Sequence, residues 1–127
     1  MSATGACAGI LVVDDDQDIR DSLREVLEDE GYQVACVANG REALDYLKTA
    51  SPRPCVILLD LMMPVMDGWQ FLAERARRSN ATPVVLLSGL SFIRDAPGVA
   101  DFLSKPVNFE KLRDCLDRFC GKPAPAV

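Results

Sequence analysis

The sequence predicts an α/β domain in which helices cover both faces of a parallel sheet. Short, almost wholly apolar runs such as residues 56–59 and 84–87 alternate along the chain with segments whose apolar residues recur at helical spacing. Strands buried on both faces show such continuous apolar runs, and their alternation with helices is typical of parallel sheets. At 127 residues the chain is long enough for one domain with its own core, and a second domain has no room.

The first half of the chain contains two strand–helix repeats. Residues 8–13 form the first predicted strand and residues 32–37 the second. The helix between them ends at Gly31, and its buried face is predicted from apolar residues at helical spacing. These residues are Ile19, Leu23, Val26 and Leu27. The second helix is predicted to begin at Asn39, because Glu42 follows three residues later in a capping-box pattern.

The second half of the chain contributes three more strands and two clear helices. Residues 56–60, 83–88 and 100–104 form the predicted strands. Asp67 opens the helix after the third strand, and Asn108 caps the last helix. The apolar residues of the last helix are predicted to face inward; these are Phe109, Leu112, Leu116 and Phe119.

The segment between the fourth and fifth strands is too short for a full helix. Residues 89–99 include Pro97 and Gly98, which leave room for at most about two helical turns. We therefore expect a short or missing fourth helix. Residues 1–7 and 121–127 are expected to be loose tails on either side of a domain that spans residues 8–120, the second of them the possible start of a linker.

Composition excludes several classes of function. The net charge of −5 and the pI of about 4.7 argue against sequence-independent nucleic-acid binding. The longest apolar runs are only long enough for strands, so no membrane span is expected. The N-terminal residues lack the basic region of a signal peptide, which predicts a cytoplasmic protein. With no histidine in the chain, a zinc site and a Ser-His or Cys-His mechanism are excluded or nearly so.

Two groups of residues receive purely structural interpretations. The five cysteines are odd in number and contain no C-x-x-C pair, so they are predicted to be reduced core or surface residues. They are Cys7, Cys36, Cys55, Cys115 and Cys120. The basic residues Arg75, Arg77 and Arg78 are interpreted as a solvated helix face.

Asp60 is the residue that most needs a functional explanation, because a carboxylate at the end of a buried strand loses much of its hydration. Either hydrogen bonds neutralise it or other parts of the chain bring it a cation. Polar residues end three other predicted strands, and parallel strands place all these ends at one edge of the sheet. They are Asp14, Asp15 and Asp16 after the first strand, Ser88 at the end of the fourth and Lys105 after the fifth.

The joint placement of these residues predicts a phosphoryl-transfer site. Carboxylates this close repel one another unless a cation shares them, and hard oxygen ligands suit Mg²⁺. In such a site Asp60 can attack a phosphoryl group whose oxygens are neutralised by the metal and Lys105. Taken singly, the acids would be helix caps or solvated side chains, Ser88 a helix cap, and Lys105 a surface residue.

These segments resemble the motifs of the receiver domains of two-component response regulators. The matching stretches are Ile10-Leu11-Val12-Val13-Asp14-Asp15-Asp16, Asp60-Leu61-Met62-Met63-Pro64-Val65-Met66-Asp67-Gly68, Leu86-Leu87-Ser88-Gly89 and Lys105-Pro106, in the order of the family. The resemblance covers residues 8–120. It implies a three-layer, flavodoxin-like (βα)5 fold whose five parallel strands lie in the order 2-1-3-4-5.

The resemblance also implies an acceptor and a metal site. Asp60 would accept a phosphoryl group from a histidine kinase or a histidine phosphotransfer protein. Asp15 would ligate Mg²⁺ directly and Asp14 mainly through water, with Asp60 and the backbone carbonyl of Met62 as further ligands. Phosphorylation would then switch the binding of an output partner or output domain that the sequence does not identify.

Further roles follow from the same resemblance. Ser88 and Lys105 would bind the phosphoryl oxygens, and the bond between Lys105 and Pro106 would be cis. Phe102 occupies the position of the family's switching aromatic, although a buried phenylalanine on an edge strand is equally ordinary core.

Two apolar side chains predict a long-lived phosphoryl group. Met62 lies two residues after Asp60 and Leu90 two residues after Ser88, where they flank the path of a hydrolytic water. Neither side chain can orient that water by a hydrogen bond, so slow self-dephosphorylation is expected.

Two other functions compete with this interpretation. A Mg²⁺-dependent phosphatase of the haloacid dehalogenase type also uses an aspartate at a strand end, but it carries a second acid two residues later, where this chain has Met62. A receiver-like binding module without phosphorylation is the other alternative, and here every chemical residue is present. The sequence leaves open whether the domain forms homodimers and whether it stands alone or belongs to a longer protein.

Overall fold

A five-stranded parallel sheet forms the centre of the computed structural model, which describes residues 9–50, 53–78, 80–89 and 98–120. The strands are β1 (Ile10–Val13), β2 (Val34–Val37), β3 (Val56–Asp60), β4 (Val84–Ser88) and β5 (Asp101–Ser104). The helices in the described part are α1 (Gln17–Asp29), α2 (Gly40–Thr49), α3 (Gly68–Arg77) and α4 (Phe109–Cys120). The strand order is β2-β1-β3-β4-β5, which confirms the predicted α/β class and the 2-1-3-4-5 order.

The register of the sheet brings the strand ends level with one another. Val13 pairs with Leu59, and Asp60 pairs with Leu87. Because all neighbouring strands are parallel, their carboxyl ends form one edge and their amino ends the other. Asp60 and Ser88 end their strands at the carboxyl edge, and Asp14 and Lys105 directly follow theirs there.

Helices bury alternate residues of each strand on the two faces of the sheet. On one face, α1 and α4 cover Ile10, Val12, Leu58 and Leu87. On the other face, α2 and α3 cover the intervening strand residues, such as Leu11, Val13, Leu59 and Leu86. This two-sided burial explains why the central strands read as continuous apolar runs.

Side-chain caps fix where the helices begin. Asp16 accepts hydrogen bonds from the backbone N–H groups of the first turn of α1. Asn39 accepts from the N–H of Glu42 at 2.9 Å, as its spacing predicted. Asp67 and Gln70 form a reciprocal capping box at the start of α3. After α1, Gly31 has a positive φ of 97°, a left-handed conformation that glycine adopts readily.

Three structural predictions from the sequence are wrong. Phe109 does not face inward: it is 38% exposed, and Leu112, Cys115 and Leu116 form the buried stripe of α4. Arg75 is not solvated, because only 6% of it is exposed. The prediction of reduced cysteines fails for one pair, since Cys55 and Cys120 form a disulfide; Cys36 and Cys115 are free.

Several expectations fall on the part of the chain that the structure does not describe. Both tails, residues 1–7 and 121–127, lie outside the described residues, as does Cys7. Most of the segment expected to hold a short or missing fourth helix also lies outside them, because residues 90–97 are not described. Within the described ranges, no helix combines the length and apolarity needed to cross a membrane.

Candidate functional site

Asp60 is buried at the last position of the central strand β3. Only 7% of the residue is exposed, and the strand residues before it are fully enclosed. The backbone N–H of Met62 lies 3.4 Å from Asp60 Oδ1, and this is a weak hydrogen bond to the carboxylate. A hydrogen bond this weak does not offset the free-energy cost of burying a charged carboxylate. The stability of the charged form of Asp60 therefore depends on the other groups around it.

Lys105 provides the missing cation and connects Asp60 to a second buried carboxylate. Its Nζ donates to Asp14 Oδ2 at 2.8 Å and lies 3.5 Å from Asp60 Oδ1. Asp14 is only 1% exposed, and its Oδ1 accepts the N–H of Asp16 at 2.9 Å. The backbone N–H of Lys105 donates to the carbonyl of Ser88 at 2.9 Å, which ties the two strand ends together.

The pKa shifts follow from this mixture of burial and charge. Burial raises the pKa of Asp60, and the Asp14 carboxylate raises it further, while Lys105 partly opposes both effects. For Lys105, burial disfavours the ammonium, but its contacts with Asp14 and Asp60 outweigh that effect and raise its pKa. Asp60 is therefore held under electrostatic repulsion from Asp14, which an additional cation would relieve.

Three carboxylates are close enough to hold such a cation. One oxygen from each of Asp14, Asp15 and Asp60 lies within 4.8 Å of the others, and Asp15 is exposed to solvent while the other two are buried. Oxygen ligands with an open, hydrated side suit Mg²⁺, which keeps several waters. The residues present therefore fit a magnesium ion.

The other predicted residues take different positions around this centre. Ser88 is buried at the carboxyl end of β4, and the peptide bond between Lys105 and Pro106 is cis. The side chain of Met62 is 67% exposed beside the site. Phe102 is half-buried on the edge strand β5, where it packs against the cluster on the α2 and α3 face. Leu90 lies outside the described residues.

Sequence reasoning missed one residue that supports the site. Arg20 Nη1 donates to the backbone carbonyl of Asp14 at 2.7 Å and so holds the loop that carries the buried carboxylate. Arg20 lies six residues after Asp14, on the first helix, where a basic residue has no distinctive local pattern. The two residues are close only because α1 folds back along the strand that precedes it.

Comparison with known proteins agrees with this geometry. Residues 10–117 match the family model of the response regulator receiver domain. The chain is 38% identical over 108 residues to the response regulator MprA of Mycolicibacterium vanbaalenii, a match that covers 81% of this chain and 46% of that protein. The chain therefore spans about half the length of this curated relative.

Solved structures show the same fold. The chemotaxis protein CheY4 of Vibrio cholerae is 36% identical, with a TM-score of 0.73 over 90% of this chain and 99% of that one. The response regulator TrrA of Thermotoga maritima, whose structure is a complex with Mg(2+)-BeF, is 30% identical, with a TM-score of 0.77 over 87% of this chain and 96% of that one.

Proposed function

This chain belongs to the response regulator receiver domain family of two-component systems, and from that membership we propose that Asp60 is its phosphoacceptor. The observation that carries the proposal is the contact of one ammonium, Lys105 Nζ, with two buried carboxylates, Asp14 at 2.8 Å and Asp60 at 3.5 Å. A structural ion pair needs one carboxylate, whereas a site with an excess of acid around a lysine is suited to bind a metal and a phosphoryl group.

The proposed reaction transfers a phosphoryl group to a carboxylate oxygen of Asp60. That oxygen attacks phosphorus in line, and the bond between phosphorus and the histidine nitrogen of the donor breaks. Lys105 neutralises charge on the phosphoryl oxygens, and the Ser88 hydroxyl donates a hydrogen bond to one of them. Asp60 must be deprotonated to attack, so the cation beside it is part of the chemistry.

Mg²⁺ is the proposed cofactor. Asp14, Asp15, Asp60 and the backbone carbonyl of Met62 would hold it, with Asp14 acting mainly through water. When bound, it supplies positive charge that offsets the carboxylates and the phosphoryl oxygens. The Mg(2+)-BeF complex of the related regulator TrrA supports this assignment.

The proposed partners are a histidine kinase or a histidine phosphotransfer protein as donor, and an output partner or output domain whose binding the phosphorylation switches. Phe102 is the aromatic residue that we propose takes part in that switch.

The domain would catalyse its own phosphorylation and dephosphorylation in the cytoplasm. Met62, an exposed apolar side chain beside the site, supports slow hydrolysis of the phosphoryl group.

Mass spectrometry of the intact protein tests the assignment. After incubation with Mg²⁺ and acetyl phosphate, or with a phosphohistidine donor, the wild type should gain one phosphoryl group. Asp60→Asn should gain none, and chelation of the metal should prevent the reaction in the wild type. Asp117→Asn, at an exposed position of α4, is the matched control and should react normally. An adduct that persists in Asp60→Asn would refute the assignment.

A further inference from the structure

Arg75 is a buried cation without a carboxylate partner in the described part of the chain. Only 6% of the residue is exposed, and burial lowers the pKa of its guanidinium. Nη2 donates to the carbonyl of Thr82, and Nη1 lies 3.5 Å from the carbonyl of Gly98. Nε is buried and has no hydrogen-bond partner among the described residues. A buried, unpaired charge costs free energy, and an orphaned buried donor adds to that cost.

Arg75 also lines a cavity that contains other positive charges. The cavity has a volume of about 220 Å³ and lies between the C-terminal parts of α2 and α3. Lys48, Arg53, Arg78 and Asn80 contribute the rest of its polar lining. Thr82 and Gly98, which Arg75 contacts, precede β4 and β5, so the cavity lies at the amino edge of the sheet, opposite Asp60.

The carboxylates that the structure describes near this cavity do not neutralise its positive charge. Glu74 pairs with Arg78 at 3.2 Å but also with Arg77, which does not line the cavity. Lys48 lies 4.0 Å from Asp45, and both side chains are 60% exposed, so this pair is weak. Arg53 has no ion pair within the described ranges of the chain. Of the four cations, Arg53 and Arg75 therefore have no carboxylate partner among the residues that the structure describes.

Helix dipoles explain only part of this arrangement. Basic side chains are favourable near the C-terminal end of a helix, where carbonyl groups are unpaired. That effect accounts for Lys48 on α2 and for the exposed Arg77 on α3. It does not account for Arg53, which precedes β3 in a loop, or for the burial of Arg75.

We propose that this cavity, which we call the amino-edge cavity, binds a small phosphate-bearing anion. Guanidinium groups offer paired N–H donors that match the oxygens of a phosphate, and several cations together favour a multiply charged ligand. The volume fits phosphate, pyrophosphate or the phosphate tail of a nucleotide. The binding site is separate from the phosphoacceptor, because the two lie at opposite edges of the sheet.

Nuclear magnetic resonance of arginine Nε–H groups tests the proposal in the full chain. Pyrophosphate is titrated into the protein at constant ionic strength and without Mg²⁺, so that the carboxylate cluster cannot recruit a metal–phosphate complex. The Arg75 Nε–H signal should shift and saturate together with the backbone signal of Gly98. Phosphate and ATP form further arms: equal affinity for ATP and pyrophosphate identifies a free anion, and tighter binding of ATP identifies a nucleotide.

Substitutions of surface arginines distinguish binding at a defined site from general electrostatic attraction of an anion to a basic patch. Arg53→Gln should weaken pyrophosphate binding about tenfold, the effect of one charge-assisted hydrogen bond. Arg77→Gln is the matched control, because its side chain is 79% exposed and outside the cavity, and should change the affinity less than twofold. The proposal is overturned if Arg75 Nε–H does not shift saturably, if both variants weaken binding equally, or if citrate binds as tightly as pyrophosphate. None of these outcomes depends on phosphorylation of Asp60.

Discussion

The ammonium of Lys105 contacts both Asp14 and Asp60. We expect its positive charge to have opposite effects on metal binding and on phosphoryl transfer. Its ammonium stabilises both buried carboxylates, and the shorter contact is with Asp14. The same charge repels a second cation bound to these oxygens. In the proposed reaction, Lys105 therefore weakens the binding of Mg²⁺ while it stabilises the phosphoryl group.

Replacement of Lys105 should separate these two effects. Lys105→Met removes one positive charge from a cluster of three carboxylates, so we expect Mg²⁺ to bind about tenfold more tightly, as measured by isothermal titration calorimetry. The same variant should accept a phosphoryl group from acetyl phosphate at least tenfold more slowly, because a charge-assisted contact with the phosphoryl oxygens is lost. Lys111→Met, at an exposed position of α4, is the control. Weaker Mg²⁺ binding in Lys105→Met would contradict this account.

Met62 is predicted to set the lifetime of the phosphoryl group. Its thioether side chain is 67% exposed beside Asp60 and offers an attacking water no effective hydrogen bond. Met62→Asn introduces an amide that can orient that water, so the phosphorylated variant should lose its phosphoryl group several-fold faster. Met62→Leu, which preserves the apolar character, should retain the wild-type lifetime. The loss of the adduct is followed by intact-protein mass spectrometry after removal of the donor, and equal lifetimes for all three proteins would exclude the effect.

Strand-end residues could be predicted from sequence, whereas contacts made by long side chains could not. The positions of Asp14, Asp60 and Lys105 follow from their location at the ends of apolar runs, since parallel strands share an edge. Arg20 and Arg75 reach backbone carbonyls that are set by tertiary packing, at Asp14 and at Thr82 and Gly98. Their own helices carry ordinary amphipathic patterns, so nothing local distinguishes them from solvated arginines.

Helix α3 begins in direct contact with the end of β3, the strand that carries Asp60. Gly68, its first residue, donates its N–H to the carbonyl of Leu61 at 2.9 Å. A Cβ atom at this position would lie 2.7 Å from the carbonyl oxygen of Asp60 and 2.8 Å from Leu61 Cα. Helix α3 can therefore pack against the end of β3 only because this residue has no side chain.

Gly68→Ala should for this reason disturb both stability and the site. We expect a loss of about 1–3 kcal/mol in the free energy of unfolding, the usual cost of overpacking, together with weaker Mg²⁺ binding. Gly89→Ala is the matched control, because a Cβ there has no atom within 4 Å, and its stability should change by less than about 1 kcal/mol. Urea denaturation measures both variants. Equal free energies of unfolding for Gly68→Ala and Gly89→Ala would show that the close approach of Gly68 to Asp60 does not constrain the position of α3.

The connection of α4 to β5 should make stability depend on pH. Burial favours the neutral form of Asp101, but hydrogen bonds from Phe102 N–H and Arg118 outweigh it and lower its pKa. A carboxyl whose folded pKa is below its unfolded value stabilises the fold above the unfolded pKa, and this contribution disappears as the pH falls through the folded pKa. Below about pH 4 the wild type should therefore lose more stability than Asp101→Asn.

Urea denaturation at pH 7 and pH 3 tests this prediction, with Asp114→Asn as an exposed control on α4. Identical pH dependence in the wild type and Asp101→Asn would contradict it.

Element types were predicted better than the exposure of single residues within them. The helical period of α4 is correct, but its buried stripe includes Cys115 and leaves Phe109 38% exposed. Phe109 is the first residue of the helix, beside the cavity between α1 and the loop that carries Pro106 and Val107. An apolar residue at a helix end can point past the sheet, and periodicity alone does not indicate this.

For the whole molecule, two clusters of opposite charge lie at opposite edges of the sheet. Asp14, Asp15 and Asp60 lie at the carboxyl edge, whereas the cations of the amino-edge cavity lie at the amino edge.

The disulfide also lies at the amino edge, because Cys55 directly precedes β3 and Cys120 ends α4. It therefore constrains the fold at a distance from Asp60, the proposed phosphoacceptor. The sequence could not predict it, because cysteines 65 residues apart become neighbours only in the folded chain.

Reduction of this disulfide should destabilise the whole domain while leaving the carboxyl edge intact. A closed loop of about 65 residues corresponds to about 4 kcal/mol in the chain-entropy account of disulfides. Cys115 should not exchange with the bond, because burial and Asp101 raise the pKa of its thiol to about 11 and keep it protonated at neutral pH.

Urea denaturation with and without dithiothreitol measures this effect. Wild-type protein and Cys36→Ser should lose stability on reduction, whereas Cys120→Ser should show the reduced value under both conditions. Hydrogen exchange should then rise first in the last turn of α4, which the disulfide anchors to the start of β3. Phosphorylation of Asp60 should proceed in the reduced protein, since the bond and the acceptor lie at opposite edges. Equal stability with and without reductant would show that packing of α4, and not the disulfide, holds the amino edge together.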